Sequence, residues 1–345
     1  GTSSDLSDGQ NAQVTQTASQ EGYLSNKVTL NNLQPGVTYY YQVTGKEIES
    51  FTTDDDTSDF SFIFVGDPQI GSSNSAKDDS PEDMQTPEFL TAQSEAVRND
   101  SFNWNYTLNR AFAKTGNSAN FILSAGDQIQ TNYEDAEDTR ISEIEYAGYL
   151  SPDVMKSVPV ATTVGNHDAD NPNYTYHFNI ANMSDLGDNG YVGGDYYFTY
   201  GDALFMILNT QDTNVSEHKQ FIEETVAANQ DCKWRIVTLH QDIYGSAEHS
   251  NEPEITNLRY SLVPIFEEND VDIVLTGHDH AYSRTKMLQG GQSTTGFEYT
   301  DDEFDEQLDK DVDVGDSTET IYEAPANISD DTTDPAEQRY LEYLY

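Results

Sequence analysis

The rhythm of apolar and polar positions changes along the chain, and the change divides it. Residues 37–43 read as a strand because Val37, Tyr39, Tyr41 and Val43 alternate with polar neighbours at the period of two of a half-buried strand. Shorter strands are predicted at 27–30 and 50–53. Asp54-Asp55-Asp56-Thr57-Ser58-Asp59 interrupts this pattern with charge and is predicted to be a linker. Beyond it, strands alternate with helices. Apolar runs predict strands at 60–65, 121–124, 158–164, 234–239 and 271–275, and a hairpin of 196–200 with 203–209 around Gly201-Asp202. Helical spacing predicts helices at 102–114, with Phe102, Tyr106 and Ala113 on one face, and at 139–150, 216–229 and 255–267. Residues 290–345 have few apolar positions before Tyr340-Leu341-Glu342-Tyr343-Leu344-Tyr345 and read as loop-rich.

The residues that follow the strands carry the chemistry. Five strands run into Gly66-Asp67, Gly126-Asp127, Gly165-Asn166-His167-Asp168, His240 and Gly277-His278-Asp279-His280. Ligands of an open α/β sheet bind outside the carboxyl ends of its strands, where loops far apart in sequence meet. Carboxylate, amide oxygen and imidazole form a mixed donor set that suits Zn, Fe or Mn. The donors outnumber what one tetrahedral ion needs, and two ions ~3.5–4 Å apart sharing a carboxylate fit the count. A lone Gly-Asp after a strand is usually only a turn. Two imidazoles at i and i+2 after Val-Asp-Ile-Val-Leu, joined by the other four strand ends in order, point to a metal site.

Charge narrows the partners. The 345 residues hold 62 Asp plus Glu against 16 Lys plus Arg, a formal net charge of −46. So few basic side chains cannot neutralise a phosphate backbone, which excludes a nucleic-acid partner. Docking to anionic lipid is disfavoured for the same reason. No run of 18 apolar residues is present, so no membrane insertion is expected. Residues 291–345 carry a net −15, which leaves −31 on the first 290 residues. The whole body is therefore acidic, with 37 Asp, 25 Glu and little Lys. This bias suits salty surroundings, where screening is short-ranged, and equally an acidic secreted bacterial protein. With 15 Phe, 22 Tyr and 2 Trp there is ample material for a core. The single Cys232 rules out a disulfide framework. Gly1-Thr2-Ser3 shows neither Met nor a basic leader region, so any signal peptide lies outside this sequence.

Two resemblances follow from these motifs. Leu33-Gln34-Pro35-Gly36-Val37-Thr38-Tyr39 resembles the tyrosine corner of a fibronectin type III or immunoglobulin-like sandwich, with Tyr39 as the corner residue. Such a sandwich needs about seven strands and roughly 100 residues, so residues 1–53 would be a partial all-β module. The ordered strand-end set resembles the calcineurin-like metallophosphoesterases over residues 27–288, most closely the purple acid phosphatase branch. That resemblance implies an α/β fold, a four-layer α/β/β/α sandwich. The acidic linker would be 54–59, the catalytic domain 60–289, and 290–345 an acidic insertion or the C-terminal part of that domain.

It further implies two divalent ions (Zn, Mn or Fe), with Asp127 bridging them. Asp67 and His280 would hold the first ion, and Asn166, His240 and His278 the second. His167 would contact phosphate and protonate the leaving group, and His249, nine residues after His240, would assist. Asp168 and Asp279 are candidates to support the metal-binding histidines, although a solvated carboxylate is the simpler reading of each. Two positions depart from the family. Gln130 stands where purple acid phosphatases carry the tyrosine that binds ferric iron, and Gln69 where the wider superfamily often has histidine. Either glutamine could act as a weak metal ligand or a supporting residue. The nearby Tyr133 reads as a surface aromatic, so a colourless enzyme with divalent metals is expected.

The implied activity is hydrolysis of a small-molecule phosphate monoester by metal-activated hydroxide, outside the cell or at its surface. Two alternatives stand beside it: a nucleotide or phosphodiester hydrolase of the same fold, and a surface binding or adhesion protein with a degenerate metal site.

Overall fold

A computed structural model describes residues 1–288 except 20–21, 56, 77–82, 132–137, 246, 248, 250–251 and 286. Tyr133 and the expected insertion 290–345 lie outside the described residues.

Two sheets form the centre of this fold. The first sheet is parallel, in the order β5 (Phe62–Val65), β6 (Phe121–Ser124), β7 (Val160–Thr162). The second is ordered β11 (Ile273–Leu275), β10 (Trp234–Thr238), β9 (Ala203–Ile207), β8 (Tyr196–Tyr200). Only its β8–β9 pair is antiparallel, the hairpin expected around Gly201-Asp202. Central strands covered on both faces should be apolar throughout, and β6 and β9 are buried at every position.

The sheets face each other through Phe121 and Leu123 on one side and Tyr196, Phe205, Ile207 and Ile236 on the other. Aromatic rings dominate this layer: Phe205 lies 5.4 Å from Phe121, 5.5 Å from Phe62 and 4.7 Å from Phe198, centroid to centroid. On the outer face of the first sheet pack α1 (Pro87–Lys114) and α2 (Asp138–Tyr149), through Val97, Trp104, Leu108, Phe112, Tyr146 and Tyr149. On the outer face of the second pack α4 (Val215–Ala228) and α5 (Pro253–Glu268), through Phe221, Ile222, Leu258, Leu262 and Phe266. The order of layers is therefore helix, sheet, sheet, helix. A short α3 (Asn173–His177) lies between β7 and β8. Among the described residues, no helix is long and apolar enough to cross a membrane.

The helix expected at 102–114 begins fifteen residues earlier and buries another face. Thr86 caps its start, its Oγ1 accepting from the Phe89 amide at 3.2 Å, and Pro87 occupies the first turn, where its missing N–H costs nothing. Trp104, Leu108 and Phe112 form the buried stripe, whereas Phe102 and Tyr106 remain 70 % and 58 % exposed. The larger stripe won because Trp104 also stacks on Tyr149 at 5.5 Å and donates to its carbonyl at 3.0 Å.

Among the described residues before residue 54 there are four strands. β1 (Thr15–Ala18) pairs antiparallel with β2 (Leu24–Lys27), and β3 (Thr38–Gln42) with β4 (Ile48–Thr52). The strand expected at 27–30 is thus displaced to 24–27, where its partner β1, too polar to be read as a strand, supplies the ladder. The Gln34 amide donates to the Tyr39 hydroxyl at 2.8 Å. The Ser25 hydroxyl donates to the Tyr176 carbonyl at 2.6 Å, and the Tyr41 hydroxyl to that of Lys156 at 2.7 Å, so these strands rest on the segments that flank β7.

Phe205 is fully buried at the centre of the inter-sheet aromatics. Phe205→Ala is predicted to cost about 3–5 kcal/mol, while Phe102→Ala stays within about 0.5 kcal/mol. Urea denaturation of both variants checks this, and equal losses would contradict the two-sheet core.

Candidate metal centre

The parallel strands bring their carboxyl ends to one edge, and all of them except β9 are followed there by an expected ligand. Asp67 follows β5, Asp127 follows β6, Asn166 and His167 follow β7, His240 follows β10, and His278 to His280 follow β11. The loops are tied to one another across both sheets. The His240 Nδ1–H donates to the Ala125 carbonyl at 2.8 Å, and the His278 amide donates to Asp67 Oδ1 at 2.8 Å. The His167 amide donates to Asp127 Oδ1 at 2.9 Å, and the Gln69 side-chain amide to Asp127 Oδ2 at 3.4 Å.

With Nδ1 committed to a carbonyl, His240 turns Nε2 towards the other donors. It lies 3.0 Å from Asn166 Oδ1, 3.2 Å from His278 Nδ1 and 3.5 Å from Asp127 Oδ1. Ligand atoms of Asp127, His240 and His278 all fall within 4.8 Å of one another. His280 Nε2 lies 3.8 Å from Asp67 Oδ1 on the more open side. All six expected metal-binding residues are therefore brought together.

Electrostatics show what this cluster requires. Burial pushes the Asp67 carboxyl above its ordinary range, and the nearby Asp127 adds to the rise, though His240 offsets it. Burial acts the same way on Asp127, but the His240 imidazolium outweighs it and holds that carboxyl at about 2. Burial would lower His240, yet Asp127 beside it raises the ring to about 9. His278 is pushed down to about 3 by burial and by the neighbouring His240. Two imidazole nitrogens 3.2 Å apart, with an amide oxygen and carboxylates around them, fit a divalent ion by donor chemistry.

Backbone strain is concentrated here. Of ten non-glycine residues at positive φ among the described residues, five are Asp67, Gln69, Asp127, His278 and His280. Such conformations cost free energy and persist where surroundings over-determine them, often at functional sites. Glycines supply close approach. A Cβ on Gly126 would meet His240 Nδ1 at 2.5 Å, one on Gly277 would meet Asp67 Oδ2 at 2.7 Å, and one on Gly165 would overlap the Asp127 carboxylate.

Of the remaining expected residues, His167 directs Nδ1 at the Gln130 carbonyl, 2.5 Å away, with Nε2 4.0 Å from Asp127 Oδ2. His249 packs its ring 4.5 Å from that of His278 and pairs through Nδ1 with Glu252 at 2.7 Å. Asp168 and Asp279 are not solvated; both are buried and serve backbone amides rather than histidine rings. Asp168 accepts from the amides of Gln128 and Gly165 and from the Tyr146 hydroxyl, and Asp279 from the amides of Ala247 and His249. Burial, reinforced by Asp127, pushes Asp168 up to about 8.

Two residues were not anticipated. Glu145 is fully buried and accepts from the Thr131 amide and hydroxyl, each at 2.9 Å, and from the Gln93 side chain. Burial pushes its carboxyl up to about 8 against those donors. Its signal is an acid inside the buried stripe Ile141, Tyr146, Tyr149 of α2. Glu252 is signalled only by its three-residue spacing from His249.

The calcineurin-like phosphoesterase family model matches residues 60–282. Purple acid phosphatase 4 of Arabidopsis thaliana is 27 % identical over 198 residues, 49 % of this chain and 55 % of that protein. An uncharacterised protein of Mycobacterium tuberculosis is 25 % identical over 157 residues, 39 % of this chain and 30 % of that protein. The chain thus spans about half the length, or less, of these relatives. A dimetal phosphatase from Danio rerio superposes with a TM-score of 0.40 at 13 % identity, covering 64 % of this chain and 82 % of that one, too loose a likeness to carry a functional argument. The family match covers well over half of the sequence: the chain belongs to the calcineurin-like phosphoesterase family.

Gly165→Ala places a methyl group against the Asp127 carboxylate. It is predicted to weaken Mn or Zn binding by at least about tenfold, read by calorimetric titration, with the far-ultraviolet circular dichroism unchanged. Wild-type affinity in that variant would contradict the close approach.

Proposed function

We propose that this calcineurin-like phosphoesterase hydrolyses phosphate monoesters of small molecules at a pair of divalent ions. The observation that carries this reading is the convergence of Asp127, His240 and His278, within 4.8 Å of one another, on a cluster of buried donors. Asp67, Asp127 and His280 would hold one ion, with Gln69 beside them in place of a stronger ligand. Asp127, Asn166, His240 and His278 would hold the other. Bound there, divalent ions supply Lewis acidity: they ease deprotonation of water and offset charge on the phosphoryl oxygens.

The remaining work falls to the chain. Asp127 is fixed by the His167 amide and cannot swing away from the pocket. The Gln130 carbonyl can only accept, so His167 carries a proton on Nδ1 and Nε2 faces Asp127. When His167 is protonated, the Nε2 proton passes to the ester oxygen as the P–O bond breaks and its electron pair goes to the leaving group. The water that adds to phosphorus gives the new oxygen of the released phosphate and the proton that restores the imidazolium. His249 sits beside His278, where it would contact the phosphate from the opposite loop.

Turnover of p-nitrophenyl phosphate with added Mn or Zn is predicted for the wild type, falling by at least about a hundredfold in Asp127→Ala and His278→Ala. A wild type that binds ions and hydrolyses no phosphoester would favour a binding protein with a degenerate centre. The net charge of −46 opposes an approaching anion everywhere outside the pocket. Raising ionic strength is therefore predicted to lower KM for an anionic ester by screening that field. A KM that climbs steadily with salt would contradict it.

A further inference from the structure

Glu145 is an acid without a task in the scheme above. It sits in α2, on the outer side of the first sheet, fully buried, and its named partners are all neutral donors. Leaving a carboxyl in such a place costs free energy unless its oxygens are used. They are used to join three segments. Gln93 of α1 reaches it from one side, and the Thr131 amide and hydroxyl from another. Gly71 lies so close that a Cβ there would meet Glu145 Oε1 at 2.5 Å. Gly71 belongs to the loop that carries Asp67 and Gln69, and Thr131 to the loop that carries Asp127 and Gln130. An isolated bridge between Ile70 and Ile129 runs alongside, with the Ile70 amide on the Gln128 carbonyl at 3.2 Å and the Gln130 amide on the Ile70 carbonyl at 3.2 Å.

The Thr131 amide belongs to the same peptide unit as the Gln130 carbonyl. A bond of 2.9 Å from that amide to Glu145 Oε2 therefore fixes the direction of a carbonyl that holds His167 Nδ1 at 2.5 Å. If the peptide turned, the carbonyl would leave the ring, and Nε2 would lose its aim at the pocket. We infer that Glu145 is a positioning residue that, through the Gln130–Thr131 peptide, sets the tautomer and direction of His167. It touches neither substrate nor metal. The inference rests on the reading of His167 as proton donor, and an amide oxygen at position 145 would serve the Thr131 N–H nearly as well as the carboxyl.

The test compares leaving groups. p-Nitrophenolate departs with little help from an acid, whereas the alkoxide of glycerol phosphate needs its proton. Glu145→Leu is expected to lower kcat on glycerol phosphate at least about tenfold more than on p-nitrophenyl phosphate. His167→Ala should show the same bias, the double variant should add little to either, and Glu145→Gln should recover most of the loss. Nitrogen-15 correlation spectra of the imidazole rings give a readout independent of turnover and of added metal. They should show His167 protonated at Nδ1 in the wild type and Glu145→Gln, and a mixture of tautomers in Glu145→Leu. If circular dichroism shows that Glu145→Leu does not fold, Glu145→Asp, which draws the carboxyl back by one methylene, is read in the same assays. Equal losses on both esters with an unchanged His167 tautomer would overturn the inference while leaving the phosphatase reading intact. A wild type inactive on both esters would instead remove the reading on which it rests.

Discussion

Everything at this edge depends on how the His240 ring is anchored. The ring is fully buried between two sheets, and its Nδ1–H is taken by a backbone carbonyl of the opposite sheet, Ala125, at 2.8 Å. A carbonyl has no proton to give, so Nε2 is the face left for Asn166, His278 and Asp127. One hydrogen bond thus fixes the direction of the ring and spans the inter-sheet layer at the point where ligands must meet. The aromatic stack of Phe62, Phe121, Phe198 and Phe205 sets the distance between the sheets, and hence whether that bond can form. Packing in the middle of the molecule and chemistry at its edge are in this sense one arrangement.

The strand ends were legible because chemistry and pattern coincided. Asp67, Asp127, Asn166, His240, His278 and His280 each follow an apolar run, and parallel strands leave their carboxyl ends on one side. β6 and β9 could be placed closely because runs buried on both faces are short and continuous, and Gly201-Asp202 marked the turn between β8 and β9. The first helix was harder. Its first half presents Phe89, Gln93, Ala96 and Val97, a face too mixed to announce itself, while Phe102 and Tyr106 suggested a stripe that solvent covers. β1, with no buried position, becomes a strand only because β2 offers a ladder. Asp168 and Asp279 looked like solvated carboxylates next to their motifs. Local sequence does not show that the amides of Gly165 and Ala247 turn back to meet them.

Charge has two scales in this protein. Over the surface, acid repels other anions and acts over a distance that salt shortens. Within the pocket, burial removes that screening, and a few groups decide the outcome. Asp67 is driven up, Asp127 is held down by the imidazolium beside it, and His278 is kept neutral. The count of ionisable residues therefore describes the environment of the chain, and the distances around His240 describe its chemistry. Left-handed backbone at Asp67, Asp127, His278 and His280 shows that the fold accepts a local cost to bring these donors inward.

Five strand ends converge on Asp127 and would build one divalent-metal centre there. An anomalous-scattering crystal structure of the Mn- or Zn-loaded protein tests it most directly. Two peaks that share Asp127 are expected, one also contacting Asp67 and His280, the other Asn166, His240 and His278. Metal found only at His249, Glu252 and His278, or only on surface carboxylates with Asp127 left bare, would contradict it.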